Sequence, residues 1–91
     1  MDEKAKQIIA DGGMAALREL KPVLEACNEW MATALEAAVK AHAEKFGIKL
    51  GKLAQPLRAA LTGASTSPPI FDVLDALGRK EAMARINDLL N

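Results

Sequence analysis

Apolar residues recur along this chain at intervals of three and four, the period of a helix rather than a strand. Ala5, Ile8 and Ile9 form the apolar face of a short first helix over about 2–10. Asp11-Gly12-Gly13 then breaks the pattern; Gly-Gly signals a turn, and Asp11 is placed to cap the next helix. Met14, Leu17, Leu20 and Leu24 continue at helical spacing, with Pro22 expected to kink the run or to start a new turn near Lys21. Asn28-Glu29-Trp30 reads as a connection. Leu35, Ala38, Val39, His42 and Phe46 stripe a helix over about 32–46, stopped by Gly47. Leu50, Leu53, Leu57 and Leu61 stripe the next, with Ala54 and Ala60 beside them and Gly63 at its end. Pro56 is internal, so this helix is expected to kink or to begin near Gln55.

Ser67-Pro68 reads as a helix start, a favoured N-cap followed by a favoured first-turn proline. Ile70, Val73, Leu74 and Leu77 follow as a clean stripe, and Gly78 stops it. Ala82, Met83, Ile86, Leu89 and Leu90 mark a last helix from about Lys80 to Leu90. The pattern predicts an all-α fold, a compact bundle or cage of about five to six helices.

Composition narrows this further. Ninety-one residues make one domain, 1–91, long enough to bury roughly 60–65% of its unfolded surface. The hydrophobic half of the chain is mostly Ala and Leu, with Trp30, Phe46 and Phe71 as the only aromatics. Trp30 is expected to anchor the connection to the core rather than to stack on a ligand. The single cysteine, Cys27, excludes an internal disulfide and fits a reducing compartment. The opening residues lack the apolar region of a signal peptide, and no apolar run nears the ~20 residues of a membrane span. A cytoplasmic monomer is the expectation.

Little in the chain suggests catalysis. No Gly-rich loop leads into Lys-Ser or Lys-Thr. Ser65, Thr66 and Ser67 have no histidine close in sequence, and the lone His42 lies on an apolar stripe, where packing is its expected role. Neither a catalytic centre nor a metal site is expected.

Binding has more support. The net charge is zero, yet residues 1–36 carry seven acids against four bases, and residues 37–91 eight bases against five acids. From Lys45 to Phe71 there are four basic residues and no acidic one. On a helical wheel Arg58 and Phe71 each fall at the edge of an apolar stripe, and the turn over 62–68 brings their helices together. An arginine fork, a half-exposed aromatic and a helix amino terminus together suit single-stranded nucleic acid. Lys45, Lys49 and Lys52 could hold its backbone. Spacing alone leaves a second reading open, with Arg58 an ordinary surface residue and Phe71 the rim of the core.

The run Lys49-Leu-Gly-Lys-Leu-Ala-Gln-Pro-Leu-Arg-Ala-Ala-Leu-Thr-Gly63, followed by Ser67-Pro68, Ile70-Phe71 and Leu77-Gly78, resembles the carboxy-terminal anticodon-binding domain of bacterial glutamyl-tRNA synthetase. Trp30, Phe46-Gly47-Ile48-Lys49 and the terminal Ala84-Arg85-Ile86-Asn87 fit the same pattern. The likeness covers 28–91 well and 1–27, a scaffold of helices, loosely. It implies a helical cage that grips the anticodon loop of glutamate tRNA, consistent with RNA being read in unpaired loops. Arg58 matches an arginine contacting an anticodon nucleotide. Ser67, Pro68, Pro69, Ile70 and Phe71 match the segment lining the base pocket, Phe71 in the stacking position. Gln55 and Thr62 lie within the motif.

Two positions depart from the pattern. Pro69 stands where glycine is common, removing one backbone donor. Met31 replaces a hydroxyl cap before the 32–46 helix, at a cost of about 1 kcal/mol. The resemblance implies a fragment of a glutamate–tRNA ligase that uses ATP and magnesium in a separate catalytic domain. The fragment itself would bind but not catalyse, and would hold no cofactor. Its partners would be tRNA and the rest of the synthetase chain. A helical protein-interaction module without RNA binding remains the alternative, as does a small independent regulator sharing the fold.

Overall fold

A computed structural model describes residues 2–90. Helix α1 spans Glu3–Ile8, α2 Met14–Glu25, α3 Ala32–Phe46, α4 Leu50–Thr62 and α5 Ile70–Leu90. A wide turn over Ile9–Gly13 joins α1 to α2 without leaving the helical path for more than two residues. The described helical residues thus form four continuous runs, 3–25, 32–46, 50–62 and 70–90, rather than five to six separate helices. Two of the runs are broken internally, at Asp11-Gly12 and at Gly78.

Both breaks have a local cause. Gly13 sits so close to the Ile8 carbonyl that an added Cβ would collide with it. Asp11 lies inside this turn and caps nothing; Gly13 occupies the N-cap position of α2 with no side-chain bond. The expected Asp11 cap is thus absent because the chain never leaves the helix long enough to need one. Gly78 takes φ 82° and ψ 160°, a conformation costly for any residue with a side chain, and turns the second half of α5 back onto the core.

The prolines do not break their helices. Pro22 lies within α2 and Pro56 within α4, with helical torsions on either side. Each removes one hydrogen bond to the carbonyl four residues earlier. Those residues, Arg18 and Lys52, are exposed, so water can take the freed carbonyl. Pro56 itself is buried and contributes to packing.

Leu17, Leu20 and Leu24 of α2, Leu35 and Val39 of α3, Leu53, Leu57 and Leu61 of α4, and Leu74 and Ile86 of α5 are fully buried. The predicted stripes thus meet in one core. At the end of α3 the expectation fails, since Phe46 is 59% exposed. Ala43 takes the inward position, and Gly47 reverses the chain at φ 66°. The Ile48 N–H then donates to the Ala43 carbonyl at 2.8 Å and that of Gly47 to Glu44 at 3.3 Å. This Schellman pairing folds Ile48, not Phe46, against the core. Phe46 lies beside the His42 ring, centroids 4.8 Å apart. His42 is packed as expected, with Nε2 3.8 Å from a Glu19 carboxylate oxygen on α2.

Helix ends are tied by residues distant in sequence. The Asp75 carboxylate of α5 accepts from the Ala32 N–H at 3.0 Å. Met31 supplies no cap, so Asp75 takes the place of the missing hydroxyl from 43 positions away. Asp75→Ala is expected to cost about 0.5–2 kcal/mol of stability, the usual worth of a cap. Adding Met31→Ser should restore most of it; urea unfolding of the single and double variants measures both. Arg85 donates Nη1 to the Leu61 carbonyl at 2.5 Å, satisfying the end of α4.

Candidate nucleic-acid interface

Arg58 lies two-thirds of the way along α4, on the edge of its leucine stripe, and is half-buried. Its Nε donates to the Ser67 Oγ at 2.9 Å, and the Ser67 hydroxyl donates to the Pro68 carbonyl at 2.7 Å. Among the described residues no carboxylate lies within ion-pair range of Arg58. The guanidinium is therefore oriented through Nε, while its two terminal amino groups have no acceptor among the described residues. A planar fork held in this way suits a phosphate or a base edge.

The loop between α4 and α5 is held from both sides. Thr62 Oγ1 donates to the Arg58 carbonyl at 2.7 Å and accepts from the Ala64 N–H at 3.2 Å. Asp2 grips the loop from α1: its N–H donates to the Gly63 carbonyl at 2.7 Å, and its carboxylate accepts from Ser65 N–H at 3.1 Å. The other carboxylate oxygen caps α1 by accepting from Ala5 N–H at 2.7 Å. The Ala5 amide chiefly, and the Ser65 amide with it, hold the Asp2 carboxyl below its ordinary value. The pin is thus ionised throughout the neutral range.

Helix α5 begins at Ile70, two residues later than Ser67-Pro68 suggests. Pro69 stands before it, and its carbonyl accepts from the Val73 N–H at 3.1 Å. Ser67 does not cap this helix: among the described residues its hydroxyl accepts from Arg58 and donates to the Pro68 carbonyl, and no amide of α5 donates to it. The amides of Ile70, Phe71 and Asp72 precede the first bond of the helix and have no acceptor among the described residues.

The structure therefore joins Arg58, Ser67, Pro68, Pro69 and the first turn of α5. Pro68 and Pro69 are exposed, and Phe71 is half-buried beside the core. Ile70 is 3% exposed, so its side chain belongs to the core and only its backbone faces outward chemistry. Lys49 and Lys52 are exposed at the start of α4, Lys52 about 9 Å from Arg58 along the axis. Lys45 sits instead over the Phe46 ring, 5.6 Å from its centroid. Asp2 escaped the sequence reading, although an aspartate just before a helical run is itself a cap signal.

Similarity to known proteins extends over nearly the whole chain. Residues 1–90 match the model of a family described as the anticodon binding domain. Glutamate–tRNA ligase 2 of Brucella ovis is 60% identical over 88 residues, 97% of this chain. Glutamate–tRNA ligase 1 of Brucella melitensis shows the same identity and coverage. The chain spans 19% of the length of each. A crystal structure of a glutamate tRNA ligase from Elizabethkingia meningosepticum, in complex with its amino acid, superposes with a TM-score of 0.88. That match has 27% identity and covers 99% of this chain and 18% of the other. With the family match running through both α1 and the Arg58–Ser67 junction, the chain belongs to the anticodon binding domain family.

Proposed function

We propose that this chain reads the unpaired anticodon loop of glutamate tRNA as the RNA-binding part of a glutamate–tRNA ligase. The carrying observation is the bond from Arg58 Nε to Ser67, which fixes a guanidinium beside the uncapped first turn of α5. In this arrangement Arg58 offers its terminal amino groups to a base edge or phosphate. Phe71 offers a partly exposed ring to a base face. The free amides of α5 offer donors at the positive end of a helix dipole. Lys49 and Lys52 hold the RNA backbone by charge. Pro69 supplies no N–H, so base recognition passes to the neighbouring amides and to Arg58.

Activation of glutamate with ATP and magnesium, and its joining to tRNA, belongs in this reading to the remainder of a longer ligase. The sequence has no phosphate-binding loop, and this reading assigns no cofactor to the residues here. No described helix is long and apolar enough to cross a membrane. A cytoplasmic setting, where tRNA is charged, is part of the proposal. Binding is expected as one chain per RNA. Titration with a glutamate-tRNA anticodon stem-loop tests the reading: micromolar or weaker binding is expected, weakening as salt rises. Salt-insensitive binding, or none, would contradict it.

A further inference from the structure

The loop between α4 and α5 is held at two points. Toward α5, the Ser67 hydroxyl accepts from Arg58 Nε. Toward α4, Asp2 donates its N–H to the Gly63 carbonyl, and its carboxylate accepts from the Ser65 N–H. Ser65 lies two residues before Ser67, at most ~7 Å of chain, so a shift of one carries to the other. Asp2 can serve as an anchor because α1 is itself seated in the core. Ala5 is fully buried and Ile9 nearly so. The helix therefore keeps its place on α4 whether or not Asp2 grips the loop.

The hold at Asp2 has little to do with stability. Gly63 and Ser65 are partly exposed, and water can take the carbonyl of one and the amide of the other if Asp2 lets go. What Asp2 supplies is a fixed position for the loop. It also sets a negative charge beside a junction otherwise suited to an anion, and its lowered pKa keeps that charge in place. By charge alone Asp2 would oppose RNA. Its charge and its grip on the loop thus act on RNA binding with opposite signs, which makes them separable.

We propose that Asp2 is a positioning residue for RNA recognition. By fixing the α4 side of the loop it keeps Ser67 within reach of Arg58 Nε, so the guanidinium is oriented before RNA arrives. Asp2 itself contacts no RNA. The proposal rests on the anticodon-loop reading, and it gives the first turn of α1 a part in recognition that is exerted through Ser65, Ser67 and Arg58.

Asp2→Asn divides the two duties of the carboxylate. Asparagine caps helices as well as aspartate does, so its oxygen can still accept from the Ala5 N–H. The amide nitrogen that replaces the second oxygen cannot accept from Ser65. Stem-loop affinity is measured for the wild-type chain, Asp2→Asn, Arg58→Ala and the double variant, with urea unfolding of each. Asp2→Asn is expected to bind about three- to ten-fold more weakly, although it removes a negative charge, and to unfold near the wild-type midpoint. In the Arg58→Ala background the same substitution should cost nothing, because the group it positions is gone. A second readout needs no RNA: in the isotope-labelled free chain the Arg58 Nε–H should exchange with solvent faster in Asp2→Asn than in the wild type. Wild-type or tighter binding by Asp2→Asn, with Arg58→Ala weakened, would overturn the positioning role and leave the anticodon reading standing. An equal loss in both backgrounds, or unchanged exchange at Arg58, would overturn it too. If Arg58→Ala also binds as the wild type does, both fall.

Discussion

Arg58→Ala should weaken anticodon stem-loop binding by about 1–3 kcal/mol, the usual worth of a bidentate contact to a base edge. Fluorescence anisotropy with labelled RNA reads the change directly. The side chain is held in place before any RNA arrives. Its Nε is engaged by Ser67, and its terminal amino groups are not opposed by a carboxylate among the described residues. Binding therefore finds the fork already oriented and loses little entropy in placing it. Arg58→Lys should recover little, because lysine keeps the charge but loses both the Nε bond and the planar fork. The variant's own stability should fall by only about 1 kcal/mol, the net worth of one hydrogen bond. A large loss of RNA affinity with a small loss of stability separates recognition from folding.

Trp30→Ala should have the opposite profile, costing about 2–4 kcal/mol of stability with RNA affinity unchanged in the folded protein. Large aromatic truncations in cores cost about 3–5 kcal/mol, and the half-buried position lowers the figure. Trp30 ties the connection after α2 to α5: its indole N–H donates to the Leu74 carbonyl at 2.7 Å. Arg79 lies over the ring, 5.1 Å from its centroid, and also donates to the carbonyls of Glu25 and Cys27. Removing the ring therefore loosens three attachments together: the area, the indole bond and the cation–π seat of Arg79. Trp30→Phe keeps most of the area and should cost about 0.5–1.5 kcal/mol, the share of the lost hydrogen bond. Urea unfolding compares the two.

The core was legible from spacing because it depends on period alone. The leucines at 17, 20, 24, 53, 57, 61 and 74 are all buried, as the three- and four-residue intervals require. Phe46 misled, because a stripe says which face a residue occupies but not where the neighbouring helix ends. Ser67-Pro68 misled for a different reason. A hydroxyl before a proline is a local cap signal, but here the helix starts only at Ile70 and the hydroxyl accepts instead from Arg58, nine positions earlier. Asp75 on Ala32 and Arg85 on Leu61 are long-range bonds that no local pattern encodes. Arg58 and Phe71 stand at stripe edges, and the half-burial of both follows from that position. The placement of α1 against the α4–α5 loop is not legible in the same way. It depends on Asp2, which bonds Gly63 and Ser65 some sixty positions away.

Recognition of RNA where α4 meets the start of α5 is tested most directly by backbone amide shifts of the isotope-labelled chain, followed during titration with a glutamate-tRNA anticodon stem-loop. The expected result is a set of salt-sensitive shifts concentrated on Lys52, Arg58, Ser67 and Ile70 to Asp72, with Arg79 to Asn87 unmoved. Shifts scattered elsewhere on the chain, with none at Arg58 or over 67–72, would contradict it.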